Sequence, residues 1–441
     1  METHIAGASF QPSLLRNRDF LSLWGAQILS QTAANALTYA LVILVFRQTH
    51  QNTASSYLIL LAILPAILFG TLAGVMVDRV DRKLVLVITN CLRGVAIVLM
   101  LLLKDNPVAP YVVNFLVATV TVFFVPAEGA TIPKIVRKQD LLTANSLFSF
   151  TFNGSFVLGF ALLAPIVIGF GDLDFLFSLL TTFYIVAAVL CSTLPKTEPL
   201  DRYLTVDVAA EAAEATRRDM GEAWQYLRRH HRIVWVLLYV ALMYMLVAVA
   251  GALGPGFVTT TLELSERWVG VLALPAGVGI VVGLVLLNYV GRRLVRRSTL
   301  IHWGLIATSL TLLGLALPAL LRPRSFTAAG NPLSPLVFFV VVVALILGAA
   351  YAFATVPSFT LLQEELADDM RGRVFGVLNT LVSVVSLLPL LFVGPIADEV
   401  GVGWVLLGGA VIVAVVWFVG RNAHLPQRAS ATLEGTAAAK R

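Results

Sequence analysis

The chain has 441 residues, 58% of them hydrophobic and 13% charged, with 31 Lys and Arg against 25 Asp and Glu. Its mean hydropathy is +0.88. This balance excludes a soluble protein of the same length, which would need far more polar surface, and the recurring runs of roughly 20 apolar residues read as membrane-spanning helices. The two cysteines, Cys91 and Cys191, both lie inside apolar runs. They offer neither a disulfide framework nor metal-ligand spacing, so no metal and no cofactor is expected.

Residues 1–20 are polar, without the apolar core of a cleaved signal, and read as an N-terminal arm. The first span, 21–46, carries Gln27, Gln31, Asn35 and Thr38. At about 100° per residue these fall within an arc of roughly 80°. Such a stripe should face protein or water, because lipid cannot satisfy an amide. The second span, 55–77, ends in "GVMVDRVDRK", residues 74–83. That stretch is too short and too charged to span anything, so it reads as a tight turn. Gly74 would let two helices approach closely, Asp78 could face the positive N-terminus of a neighbouring helix, and Arg79, Arg82 and Lys83 would anchor the turn among headgroups.

The third span, 84–103, contains Arg93, roughly 15 Å beyond Lys83 by helical rise and hence near mid-bilayer. The fourth, 108–130, contains Asn114 and Glu128. Ionisable groups inside a membrane cost at least about 2.5–3.5 kcal/mol at its centre, which makes Arg93 and Glu128 functional candidates. Arg93 should have a partner, backbone carbonyls or an amide such as Asn114 among them. The fifth span, 142–169, places Asn145, Ser149, Asn153 and Phe156 on one side, and the sixth covers 174–194.

A polar connection, 195–232, has helical composition and an amphipathic tendency. It divides the chain into a first half, 21–194, and a second half, 233–420, with spans near 233–260, 268–290, 299–321, 334–358, 373–397 and 402–420. Tyr239 and Met243 share a face of span seven; Tyr351 and Thr355 lie on span ten, and Asn379 and Ser383 on span eleven. Glu364 and Glu365 read as gate-like acids, and Asp398 and Glu399 as residues of the opposite face. The tail, 421–441, is small and polar and reads as disordered. Span four ends in "VPAEGATIPKIVRKQDLLTANSL" and span ten in "VPSFTLLQEELADDMRGRVFGVLN", and the two stretches echo each other. The expected fold class is therefore an all-α membrane protein of twelve transmembrane helices in two pseudo-symmetric six-helix halves, an architecture of transporters.

Lys and Arg divide unequally between the two sides. Only Arg47, Lys104, Arg267, Arg322 and Arg324 fall on the side opposite the termini, and nearly all the others fall on the terminal side. By the positive-inside rule both termini are cytoplasmic, and the basic pI of about 9.4 reflects topology, with no nucleic-acid partner required.

The turn Gly74-x-x-x-Asp78-Arg79-x-x-Arg82-Lys83 resembles the signature loop of the major facilitator superfamily. The stretches "LLRNRDFLSLWGAQILSQTA", "PAEGATIPKIVRKQDLLTANSL" and "DDMRGRVFGVLN" are similar to its enterobactin-exporter and macrolide-efflux branch. The resemblance implies that Asp78 latches onto the start of span eleven, near Gly372 and Arg373, and closes the cytoplasmic side. It implies a monomeric secondary transporter that exports an amphiphilic organic compound in exchange for protons, with membrane lipids around it and no enzymatic chemistry. On that reading Glu128 titrates and Arg93 tunes the pathway. The substrate cavity is expected among Gln27, Gln31, Asn35, Thr38, Asn114, Asn145, Ser149, Asn153, Phe156, Tyr239, Met243, Tyr351, Thr355, Asn379 and Ser383. Two departures stand out. The copy in the second half, "NYVGRRLVRRSTL", puts Arg292 opposite Asp78, and in span five Phe160 follows Gly159 where antiporters of this type carry a proline. The residues leave an importer of a small organic solute, or a non-transporting receptor of the same fold, as alternatives.

Overall fold

The computed structural model of the chain describes residues 14–77, 79–170, 172–196, 214, 218, 221–222, 224–291, 296–321, 331–366 and 368–421. Asp78, most of the 195–232 connection, the first residues and the tail lie outside the described residues. So do the side chains of Asn153, Arg373, Asn379 and Ser383 and the surroundings of Gly372.

Among the described residues the chain is helical and contains no strand. The first half consists of α1 (Arg18–Thr49), α2 (Asn52–Val77), α3 (Arg82–Leu102), α4 (Ala109–Ile135), α5 and α6 (Leu173–Ser192). Helix α5 runs through three consecutive segments, Leu141–Phe156, a π-type stretch Val157–Leu163, and Ala164–Phe170. The second half consists of α7 (His231–Thr260), α8 (Gly270–Gly291), α9 (Arg297–Leu321), α10 (Pro335–Glu365), α11 (Asp368–Val400) and α12 (Val402–Gly420). Eleven helices among the described residues are long and apolar enough to cross a membrane. Helix α11, with 33 residues, is not one of these eleven and coincides with the expected span 373–397.

Each helix coincides with one expected span, but two boundaries need correction. Helices α4 and α10 continue to Ile135 and Glu365, past the expected ends at 130 and 358, with Pro126, Pro133 and Pro357 inside them. A proline removes one backbone hydrogen bond, and in a bundle the surrounding protein tolerates that loss.

Polar residues at the helix ends explain where the apolar runs start. Asn17 caps α1, accepting from the backbone N–H of Asp19 at 3.1 Å and Phe20 at 3.2 Å. Its amide nitrogen donates to the Ile135 carbonyl at 2.7 Å, so the same side chain ties α1 to the end of α4. Asp81 accepts from Lys83 N–H at 3.0 Å and caps α3. Each cap satisfies an N–H that would otherwise lack a partner. The second acid of the charged turn therefore starts a helix, a role distinct from that expected for Asp78.

The end of the bundle carrying the 79–83 turn also carries Arg137, Lys138, Arg296 and Arg297, and is called the basic end below. At the opposite, far end the halves meet: α2 packs on α11 and α7, and α5 packs on α8. Inside each half the helices approach backbone to backbone. A Cβ at Gly348 of α10 would lie 1.9 Å from the Ala276 carbonyl of α8. A Cβ at Gly159 would lie 2.3 Å from the Thr32 carbonyl of α1. Close contact at small residues is what holds helices together in lipid, where burial of apolar surface offers no net driving force between them.

Gly159→Ala should therefore cost about 1–3 kcal/mol through overpacking. It should lower the thermal unfolding midpoint of the detergent-purified protein. Gly154→Ala, one helix segment away with open space around it, should leave that midpoint unchanged or raise it.

Candidate functional site

A cavity of about 180 Å³ lies where the halves face each other. Tyr39 and Ile43 of α1 and Phe156, Phe160 and Ala161 of α5 form one wall. Met243, Leu246 and Phe257 of α7, Leu272 and Ile280 of α8, Leu312 of α9, Leu347 and Tyr351 of α10 and Leu406 of α12 form the other. Tyr39, Thr308 and Tyr351 are the polar residues among these described walls. Phe160 stands at the centre of the first wall. It meets Tyr39 edge-on at 5.2 Å and stacks on Phe156 at 5.2 Å.

The π-type stretch of α5 explains how Phe160 gets there. Gly159 lies flush against α1, and the widened turn carries the next residue toward the seam. Such stretches recur at functional sites because one extra residue per turn re-aims the side chains that follow. The sequence departure noted at Phe160 thus places a cavity wall where a proline would have placed a kink.

Of the residues singled out in the sequence, Phe156, Met243 and Tyr351 line this cavity. The span-one stripe, expected to face protein or water and to line the cavity, is absent from the cavity walls and makes hydrogen bonds within the first half. The Gln27 amide nitrogen donates to the Phe148 carbonyl at 3.2 Å, and its oxygen accepts from the Thr151 hydroxyl at 2.8 Å. Gln31 is buried, and its carbonyl accepts from Asn35. Thr38 and Thr355 bond one turn back along their own helices. Asn114 donates to the Leu58 carbonyl at 2.7 Å and joins α4 to α2, so it is not the partner of Arg93. Tyr239 is buried against Gly420 of α12, and Asn145 and Ser149 are exposed near the basic end of α5. Glu364 forms an ion pair with Arg297, between α10 and α9 of the same half.

The second feature is a buried polar cluster inside the first half, where α3, α4 and α6 meet. Arg93 is 1% exposed and Glu128 5%. The Arg93 guanidinium lies over the Phe124 ring at 4.5 Å and near the Tyr184 ring at 5.7 Å. Its Nε and Nη2 have no hydrogen-bond partner, and neither do Glu128 Oε1, Asn90 Oδ1 and the Tyr184 hydroxyl. Asn90 donates to Cys191 Sγ at 3.7 Å, and Arg93 and Glu128 lie within electrostatic reach of each other. Opposite charges and aromatic faces thus offset part of the desolvation cost, with several polar valences left unused. Sequence reasoning found Arg93 by its depth and Glu128 as an acid within an apolar run. It missed Phe124, Tyr184, Asn90 and Cys191, which are ordinary core residue types until the packing brings them together.

The charged turn sits close below this cluster. Arg82 Nη1 donates to the Ala130 carbonyl at 2.8 Å, two residues past Glu128. The turn is therefore fixed to α4, and its residues 79–83 are half-buried at the basic end.

Long apolar helices in two six-helix halves, with a cavity at their seam and the Arg93 and Glu128 cluster buried inside the first half, define a multi-pass membrane protein of the transporter class. The model of the Major Facilitator Superfamily matches residues 23–389, and the chain belongs to that family. It is 24% identical over 406 residues to macrolide efflux protein A of Streptococcus pyogenes, covering 90% of this chain and 94% of that protein. It is 22% identical over 398 residues to the MFS-type transporter YfiS of Bacillus subtilis (strain 168), covering 90% and 91%. Among solved structures, the nucleoside transporter NupG superposes with a TM-score of 0.67 at 13% identity, over 93% of this chain and 100% of that one. A bacterial homolog of the human lysosomal transporter Spinster, in an inward-facing and unoccupied conformation, gives 0.67 at 13% identity, over 95% and 98%.

Removing one member of a buried charge pair strands the other at a cost of about 3–5 kcal/mol. Arg93→Met should therefore destabilise the protein markedly in detergent. Glu128→Gln introduced on top of it should recover part of the loss. Thermal unfolding of the two single variants and the double variant gives the coupling energy, and additive effects would mean the two groups do not interact.

Proposed function

We propose that the protein exports an amphiphilic or lipophilic organic compound across the bacterial cytoplasmic membrane in exchange for protons. The observation that carries this reading is the seam cavity, with its aromatic and aliphatic walls and few hydrogen-bonding groups. Sugars, whose hydroxyls need dense polar contacts, fit such walls poorly, whereas an amphiphile with one or two polar groups fits well. The similarity to a macrolide efflux protein over nine-tenths of the chain supports the outward direction. The basic end is then cytoplasmic by the positive-inside rule, and both termini lie there.

On this reading the first half, 21–194, rocks against the second, 233–420, and exposes the cavity to each side in turn. A volume of 180 Å³ is below the roughly 300–1,000 Å³ of most ligand pockets. A drug-sized substrate is thus accepted only when the halves part at one end. Glu128 carries the proton. Its neighbour Arg93 supplies the positive charge that helps release the proton when the cluster reopens to the cytoplasm. Asp78 gates the cytoplasmic side, with Arg79, Arg82 and Lys83 holding its turn at the headgroups.

Inside-out vesicles from cells expressing the chain test this directly. After energisation, adding a transported compound should release the quenching of a pH-sensitive dye. The compounds to compare are a macrolide, a lipophilic cation and a catecholate siderophore. One class should give dequenching, and Glu128→Gln and Asp78→Asn should abolish it while the protein remains folded. Transport that persists in Glu128→Gln with its proton dependence intact would rule out Glu128 as the carrier.

Phe160→Ala removes an edge contact and a stacking contact of about 0.5–1.5 kcal/mol each. It should raise the substrate concentration for half-maximal dequenching several-fold. The maximal rate should change less.

A further inference from the structure

At the far end, one carboxylate joins the two halves. Asp398, in the last turn of α11, accepts four hydrogen bonds from the first two residues of α2. Its Oδ1 accepts from Asn52 N–H and from Asn52 Nδ2, each at 2.8 Å. Its Oδ2 accepts from Thr53 N–H at 2.9 Å and from the Thr53 hydroxyl at 2.6 Å. The two backbone donors belong to the first turn of α2, where a helix has no carbonyls of its own to offer them. The negative charge also meets the positive end of the α2 dipole. A residue 346 positions away in sequence thus serves as the cap of α2.

The surrounding surfaces are shaped to this contact. A Cβ at Gly394 of α11 would lie 2.6 Å from Thr53 Cα and 2.6 Å from Ser56 Oγ. A Cβ at Gly256 of α7 would lie 2.0 Å from Asn52 Oδ1. Asn52 is therefore enclosed between α11 and α7, and α2 cannot leave the second half without giving up all four bonds. Glu399, the next residue, is exposed and shares none of these four bonds.

We propose that Asp398 is the positioning residue of the outer gate, and that its bonds to the start of α2 hold the far end shut and must break for the cavity to open outward. The proposal rests on the alternating-access reading above. It assigns to Asp398 a role in setting which side is open, acting through α2 without touching substrate.

Distances between spin labels test it in the full chain, reconstituted in lipid nanodiscs with Cys91 replaced by Ala and the buried Cys191 kept. One label pair, Phe170→Cys with Leu333→Cys, spans the far end from one half to the other. A second pair, Gln139→Cys with Tyr289→Cys, spans the basic end. The parent protein should show a short far-end distance. Asp398→Asn turns two acceptor positions into donors facing donors, and it should shift the far-end population to longer distances while the basic-end pair shortens. Gly394→Ala keeps the carboxylate but wedges the same contact, and it should do likewise. That variant carries the test if Asp398→Asn does not fold. Glu399→Gln removes a neighbouring charge and should match the parent.

An unchanged far-end distribution in both Asp398→Asn and Gly394→Ala would overturn the proposal, as would equal opening in Glu399→Gln. Far-end opening without shortening at the basic end would uphold the clasp and overturn the alternating-access reading on which it rests.

Discussion

Inside a bilayer a polar group has no partner but another group of the same protein, and this shortage organises the whole molecule. The backbone answers it with helices. The amides of α1 answer it by turning toward α5, where Gln27 both donates to Phe148 and accepts from Thr151. Because lipid supplies no hydrophobic reward for helix contact, cohesion comes from close backbone approach at positions such as Gly159 and Gly348. The Arg93 and Glu128 cluster is the place where this rule is only partly met. Several buried polar atoms there lack partners, which is costly and therefore points to a use.

The two features of the proposed pathway are separated in space. The apolar cavity sits at the seam between the halves, and the charged cluster sits within the first half among α3, α4 and α6. Helix α5 and the start of α1 lie between them. Gln27 and Trp24 of α1 meet Thr151 of α5 by hydrogen bonds, and Phe156 and Phe160 farther along α5 form the cavity wall. A change of charge at Glu128 can reach the cavity only by shifting packed helices. Coupling of that kind needs an element with two discrete arrangements, and the proposed rocking of the six-helix halves would supply one.

The fold was legible because twelve apolar runs are separated by short charged turns, a pattern that needs no tertiary knowledge. The ends of α4 and α10 were not, because these helices continue past the apolar runs into the charged stretches that follow, with Pro133 also inside α4. Charge inside apolar runs exposed Arg93 and Glu128. Their aromatic neighbours Phe124 and Tyr184 carry no sequence signal, being apolar-run residues like many others. The polar stripe of α1 reads from sequence as facing protein or water. Whether it faced a helix or a cavity depends on a neighbour more than a hundred residues away. Asp398 was legible only as a surface acid, since the helix it caps lies in the other half.

Helices α2 and α11 belong to different halves, and each has an acid near its C-terminal end. At the far end Asp398 of α11 caps the start of α2. At the basic end the family resemblance assigns to Asp78, at the close of α2, the mirror-image task at the start of α11. Charge-assisted bonds of a carboxylate to a helix N-terminus contribute on the order of 1–3 kcal/mol at partly exposed sites. On the proposed reading, two such clasps at opposite ends of one helix pair would nearly balance and keep the energy gap between the two arrangements to a few kcal/mol. A gap of that size is what a proton or a substrate with modest preference for one arrangement can reverse. A single strong clasp would lock the protein in one state, and the absence of both would leave the cavity open to either side at once. On that reading, one acid at each end of the α2 and α11 pair would give the same two helices control of both gates.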